Sequence, residues 1–350
     1  MTPLSFKPAC LPVAYGELPH TNASQALRLL LDTTPAVVTC AALPQRGFRE
    51  HAYIQSILGF PGLVLDQHSK RAYINRTEAL PKLDQLALAY LQNHVAFAAL
   101  TTDALSLLTE LRRLRGVFAG QAIKIIVTGP VSLSLQLTDD QQHPLAYDAM
   151  LFEGLVQHLT LRAAWYVSQL IDLGTDVDVI VCLDEPFLDA CASPFCPIEW
   201  NDAAALLELV LSNISGCRGV LTSGPVNWAM VLQTSVEWVH FNAYQYSQAL
   251  LDSAEVLATF LQRPGFLTWG IVPTSAGELA RETIETLTER IEHILDRLVA
   301  AGITREQMLQ AMLISTTTSL AHMSVSDAEK ALTLCAGISA HLREKYDLNA

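Results

Sequence analysis

The run "DVDVIVCLDEPFLDA", residues 176–190, stays apolar and β-branched until it stops at two adjacent acids, Asp184 and Glu185. Pro186 follows, and a residue without an N–H cannot continue a central strand. The run reads as a buried strand that ends by presenting carboxylates. What those carboxylates face depends on the strands around them.

Comparable runs recur along the chain: "LPVAYG" (11–16), "AVVTCAAL" (36–43), "AIKIIVTG" (122–129), "CRGVLTSG" (217–224), "VEWVHFNAY" (236–244), "GFLTWGIVP" (265–273) and "MLQAMLIST" (308–316). With 177–185 they make eight. Helical stretches are expected at 22–32, 82–115, 146–173, 202–213, 226–235, 246–262, 277–302 and 326–347. In "IETLTERIEHILDRLVAAG" (284–302) the apolar residues recur every three or four positions, and a glycine stands at the C-terminus. Eight strands, each followed by a helix, predict an α/β chain folded as a single (β/α)8 TIM barrel over residues 1–350. Residues 44–81 do not fit one strand–helix unit and are expected to form an excursion after the second strand, over one barrel end. A doubly wound open sheet is the alternative. It calls for a phosphate-binding glycine loop after the first strand, and "YGELPHT" is not GxGxxG.

Composition narrows the function classes. Of the 350 residues, 51% are hydrophobic and 16% charged, enough for a large core and incompatible with disorder. A net charge of −13 and the lack of a basic cluster beyond "LRRLRG" (111–116) argue against nucleic acid. No apolar run is long enough to span a bilayer, and "MTPLSFKPACLPVAYGELPHT" is broken by prolines and lacks a basic region leading into an apolar one. A cytoplasmic protein with no membrane partner is the expectation. Seven cysteines at irregular spacing suggest neither a disulfide framework nor a zinc ribbon, and reduced, mostly buried thiols are expected.

Barrel geometry gives the carboxylates a setting, because active sites of such barrels lie at the C-terminal strand ends. With a period of two, Asp184 shares a face with Cys182 and Ile180 and should enter that cup. Capping of a helix or pairing with a rim arginine is the competing reading for Asp184 and Glu185. His240 stands two residues before Asn242, so both face inward on a regular strand. His240 suits proton transfer near neutral pH, or equally a hydrogen-bonded core position. Arg49, in "QRGFRE", suits an anionic ligand or a surface ion pair.

Six phrases in order, "YGELPHTNASQAL", "VTGPVSLSL", "VCLDEPFL", "FNAYQY", "WGIVPT" and "SVSDAEKAL", resemble the catalytic domain of cobalamin-independent methionine synthase and its short relatives. That domain belongs to the barrel superfamily that also holds uroporphyrinogen decarboxylase and corrinoid-linked methyltransferases. The resemblance spans about residues 12–340. It implies a cup for a folate or corrinoid methyl donor, with Asp184 and Glu185 matching the acid phrase that contacts the pterin. Thr128 at the third-strand turn, Trp269 on the seventh strand and His20 at the first-strand rim also match the pattern.

The resemblance further implies zinc, held by a His-x-Cys after the fifth strand, an acid after the sixth and a cysteine after the eighth. Here those positions carry Leu221, Ser223, Asn242 and Thr318. Leucine cannot bind a metal, and neutral oxygens are poor zinc ligands without charged companions, so no metal is expected. Glu17 stands where the family has serine near the substrate's carboxylate, and a glutamate there repels a carboxylate unless protonated or paired. Three readings follow. One is a zinc-free methyltransferase-like enzyme using Asp184 and His240, with Glu17, His20, Thr128, Glu185, Asn242 and Trp269 around the ligand. The second is a non-catalytic relative that binds a ligand or partner protein. The third is a uroporphyrinogen decarboxylase-like lyase, for which no arginine-rich first-strand motif is present. The partners implied are a small molecule and, for a corrinoid donor, a corrinoid protein docked on the rim.

Overall fold

Each of the eight apolar runs contains a strand: Leu11–Pro12, Val37–Thr39, Ala122–Thr128, Asp178–Asp184, Cys217–Leu221, Trp238–Phe241, Phe266–Val272 and Met312–Thr316. The structure, a computed structural model, describes residues 6–116, 118, 121–174 and 177–348. Asp176 of the opening run lies outside them, as do the first five residues, on which the expectation of no leader partly rests. All pairings between these strands are parallel, and the first pairs with the eighth, then seventh to second in turn. Between first and second strand the ring is joined at the C-terminal ends, where Leu18 N–H donates to Ala42 O at 3.0 Å and Ala42 N–H to Gly16 O at 3.0 Å. With helices between the strands, this is a nearly closed (β/α)8 barrel. Among the described residues, no helix is long and apolar enough to cross a membrane.

Alternation along the strands sorts side chains into two layers. Tyr15, Ile126, Ile180, Cys182, Leu221 and Trp238 pack inside the barrel. Ile125, Val127, Val181, Leu183, Phe241 and Trp269 pack outside, against the helices. The interior is tight: a Cβ on Gly219 would lie 2.3 Å from Cys182 Sγ.

One interior residue is a lysine. Lys124 is 1% exposed, and its Nζ donates to Ala14 O at 2.7 Å and Tyr15 O at 2.6 Å. Burial pulls it from 10.5 to about 8. Between those values the unfolded chain holds a proton that the folded one has released, so this lysine adds stability as pH rises from about 8 to 10.5. Urea unfolding of wild type and Lys124→Met at pH 8 and pH 10 checks this. The difference should move in the wild type's favour by about 2 kcal/mol at ~1.4 kcal/mol per unit, since the folded lysine is still half protonated at pH 8, and a constant difference refutes it.

Several element boundaries differ from the sequence reading. The 82–115 stretch is two helices, Arg76–Leu91 and Ser106–Arg113, because the chain turns at Asn93 with φ +49°. The 246–262 stretch is Ala243–Leu251 plus Ala254–Gln262, and 226–235 holds only the single turn Trp228–Val231. In 277–302 a short turn, Ala276–Leu279, precedes Ile284–Ala300, which starts at a capping box of Thr283 and Thr286. The eighth strand begins at Met312, not 308, since Thr304 and Gln307 cap a helix over Arg305–Ala311.

The 44–81 excursion folds over the C-terminal strand ends. Its helix Ala52–Ile57 places Ser56 Oγ to accept from Thr128 N–H at 2.9 Å, and Ala52 N–H donates to Glu17 Oε1 at 3.1 Å. Beyond it a hairpin, Leu63–Asp66 and Arg71–Ile74, is extended by Thr138–Asp139 into a small second sheet.

Candidate functional site

The cup at the C-terminal strand ends is built around Asp184. It follows Ile180 and Cys182 on the inward face of the fourth strand and pairs in register with Thr128 of the third. Tyr15 reaches across from the first strand, its hydroxyl donating to Asp184 Oδ1 at 2.7 Å. Asp184 is 9% exposed, and burial raises it from 3.8 to about 7, against the lowering effect of the Tyr15 hydrogen bond. Glu17 adds its repulsion, and Lys124 acts weakly the other way. The carboxyl therefore changes charge near neutral pH. Tyr15 is pushed well above the usual phenol range by burial and by Asp184, so it remains a donor.

Tyr15 did not figure in the sequence reading. Its signal was parity: Val13 and Tyr15 alternate inward on the first strand, with Glu17 next at the rim.

Glu17 is tied down on both oxygens. Oε1 accepts Ala52 N–H and Oε2 accepts Ser319 Oγ–H at 2.8 Å. The neighbouring rim, after the seventh and eighth strands, is lined by hydroxyls, with Thr274 Oγ1 at 2.7 Å from Thr318 Oγ1 and 3.2 Å from Thr317 Oγ1. His51 on the excursion is held below the usual imidazole range by desolvation, with Glu17 pulling the other way.

Glu185 points away from the cup. Its oxygens accept the N–H groups of Val131 at 3.1 Å and Ser132 at 2.7 Å, capping the helix Pro130–Gln136 of the preceding unit. Burial pushes it from 4.5 to about 7 despite these bonds. Asn242 is a cap as well, with Oδ1 accepting Gln245 N–H at 3.0 Å and Nδ2 donating to Ser223 O at 3.3 Å. Capping was weighed for Glu185 on the helix that follows it, whereas it caps the one before, and capping by Asn242 was not expected.

His240 is fully buried in the barrel, its ring edge-on to Tyr15 at 4.8 Å. Nδ1 faces Thr222 O at 3.2 Å and Nε2 faces Thr316 O at 2.9 Å. Desolvation lowers it from 6.5 to about 4, so the ring is neutral at physiological pH and its single N–H donates to one of these two carbonyls, at the end of the fifth or of the eighth strand. Trp269 sits on the outer face of the seventh strand, 5.6 Å from the Phe241 ring, and does not line the cup. His20 is buried against the last helix, with Nε2 3.6 Å from Glu329 Oε1. Arg49 pairs with Asp103 at 2.9 Å.

The donor set at the four zinc-type positions does not fit that metal. Leu221 is packed inside the barrel, Asn242 caps a helix and Thr318 bonds Thr274. Among the described residues, no three His, Cys, Asp or Glu side chains are grouped to hold a metal ion. Two clefts lie off the cup: about 630 Å³ beside Arg46 and Arg113, and about 1120 Å³ at the N-terminal strand ends beside Arg218 and Arg263. The strand-end rule favours the cup over both.

Comparison with known proteins bears on the fold. No family profile and no curated protein match the sequence. Among solved structures, a B12-independent methionine synthase from Shewanella sp. W3-18-1, in complex with selenomethionine, superposes with a TM-score of 0.57 at 14% identity, over 97% of this chain and 99% of that one. A methyltransferase from Methanosarcina mazei superposes with a TM-score of 0.52 at 14% identity, over 95% and 94%. At this identity the likeness is one of fold.

Proposed function

We propose that the chain is a methyltransferase-type barrel whose cup takes a methyl donor at Asp184 and works without zinc. The observation that carries this is the Tyr15–Asp184 pair at the inner strand ends. A methyl group on a ring amine, as in a methyl-folate, leaves readily only when that nitrogen is protonated. A carboxyl near 7, oriented by a phenol that stays protonated, suits that task at neutral pH. A corrinoid donor releases its methyl without taking a proton, so the acid favours the folate-type donor. The fold likeness to a methionine synthase and a methyltransferase supports the reaction class. Glu17 disfavours an acceptor that would place a carboxylate beside it, and the zinc-type positions supply nothing to stabilise a thiolate acceptor.

A second reading, a binding protein without turnover, is favoured by one observation: His240 and Asn242 are committed to structural hydrogen bonds. A porphyrinogen-type lyase finds less support, because Arg46 and Arg49 by the excursion are already paired with Glu50 and Asp103.

Calorimetric titration with a methyl-folate and with methylcobalamin, beside metal analysis, tests the proposal. Saturable methyl-folate binding is expected, weakened about 10–100-fold in Asp184→Ala for one lost buried hydrogen bond. Binding should also fall as pH rises above about 7, where Asp184 loses its proton. Zinc near one equivalent per chain, or a methyl-folate affinity untouched by the substitution, would sink it. Binding with no methyl transfer in single turnover, to any thiol or amine acceptor tried, would select the second reading.

A further inference from the structure

The first strand pairs with the eighth along its length but meets the second only beyond their ends, at Glu17 and Ala42. The backbone of the second strand explains the gap. Cys40 N–H donates to Lys124 O of the third strand at 2.7 Å, and Ala41 N–H turns back on Thr39 O at 2.9 Å. Ala42 N–H then reaches the first-strand side, at Gly16 O. One step earlier, Ala14 O is met by side chains instead of a ladder N–H, with Thr39 Oγ1 donating at 3.1 Å and Lys124 Nζ at 2.7 Å.

Lys124 therefore reaches from the third strand past the second to hold the first. Its Nζ donates also to Tyr15 O at 2.6 Å and lies 5.6 Å from the centre of the Trp238 ring. An ammonium has three N–H donors, so two grip consecutive carbonyls and the third side is turned to a π-face. A lysine sealed in a barrel gives up its hydration, and an apolar side chain of that length would be the ordinary occupant. What this lysine holds is the backbone of Tyr15, whose hydroxyl donates to Asp184 Oδ1 at 2.7 Å and whose ring lies edge-on to His240.

We propose that Lys124 is a positioning residue for Asp184: it fixes Tyr15 where the ladder to the second strand is interrupted, and so aims the phenol at the carboxyl. That role rests on the reading of Asp184 as the group that hands a proton to the methyl donor. Lys124 is 1% exposed, so it works through Tyr15 and not by touching a ligand. Its charge also favours the ionised form of Asp184 directly, and Tyr15 separates the two routes.

A double-mutant cycle of Lys124→Met and Tyr15→Phe in the full-length protein tests this. NMR titration of the isotope-labelled Asp carboxyls gives the Asp184 midpoint, with Asp184→Asn assigning the signal. The Tyr15 bond holds that midpoint down against burial, so slackening the bond lets it rise. Lys124→Met should raise it by about 0.5–1 pH unit more with Tyr15 present than with Phe in its place, the worth of one buried hydrogen bond. Equal shifts in the two backgrounds would overturn the proposal and leave Lys124 a buried charge; so would no shift. Thr39→Val, which removes the other donor on Ala14 O, should move the midpoint the same way by less. If Lys124→Met does not fold, an unmoved midpoint in Thr39→Val overturns the proposal in its place. Thr268→Val cuts the 2.6 Å Trp238 Nε1 bond elsewhere in the interior and should destabilise the barrel without moving Asp184. A midpoint moved as far by that change would show that any slackening of the barrel suffices, and would also overturn it. Methyl-folate titration of the wild type runs alongside: failure to bind sinks the reading of the cup, whereas the NMR cycle alone decides whether Lys124 acts on Asp184 through Tyr15.

Discussion

Asp184→Asn should make the protein more stable at pH 8 relative to pH 4, by about 4 kcal/mol compared with wild type. Burial raises this carboxyl from 3.8 to about 7, so between those values the folded chain keeps a proton that the unfolded chain has lost. Stability therefore falls as pH rises through that window, and the roughly three-unit shift corresponds to about 4 kcal/mol at ~1.4 kcal/mol per unit. Asparagine has nearly the same shape and still offers an oxygen to Tyr15 Oη, so it removes the titration and keeps the hydrogen bond. Glu185 titrates in the same window, from 4.5 to about 7, and the single variant should retain that part of the slope. Urea unfolding at pH 4, 6 and 8 reads the effect. A difference between variant and wild type that does not change with pH would mean Asp184 is ionised in the fold. If the proposed donor site is right, the same substitution should impair donor binding, and a gain in stability with a loss of affinity would mark a site held at the expense of the fold.

Glu185→Ala should destabilise by about 2–4 kcal/mol at pH 6, because it strands two buried N–H donors at the start of the helix Pro130–Gln136. Gly129→Ala should do comparable damage by another route. A Cβ there would lie 2.2 Å from Glu185 Oε1, so the carboxylate must leave its donors. The two changes strike the same contact, and the double variant should cost clearly less than the sum of the singles, since removing the carboxylate makes room for the methyl. Additive costs, measured by the same unfolding experiment, would show that Gly129 is needed for something other than Glu185. Because Gly129 N–H also donates to Asp184 O at 2.8 Å, either substitution should disturb the cup through the third-strand turn.

The strands were legible because each is a short β-branched run, and the inward parity of Asp184 followed from a period of two. Helix ends were less legible. Thr283 and Thr304 start helices through reciprocal side-chain bonds, but Asn93 adopts a left-handed backbone that no periodicity reveals. For the site, a strand-end position did not disclose a side chain's occupation. Asn242 and Glu185 stand where a ligand contact was expected and instead satisfy helix N–H groups, one on its own helix and one on the previous unit's.

The sequence by itself determined the barrel, the excursion after its second strand and the acid at the end of its fourth, because these rest on local pattern and on the order of elements. Only the tertiary structure decided what each polar group does. It set Tyr15 against Asp184 across 169 positions of chain and left His240 between two carbonyls. It also laid Trp269 against Phe241 outside the barrel wall. The reason is physical: desolvation and hydrogen-bond partnership depend on which groups converge inside the closed barrel, and that convergence is a property of the ring of strands.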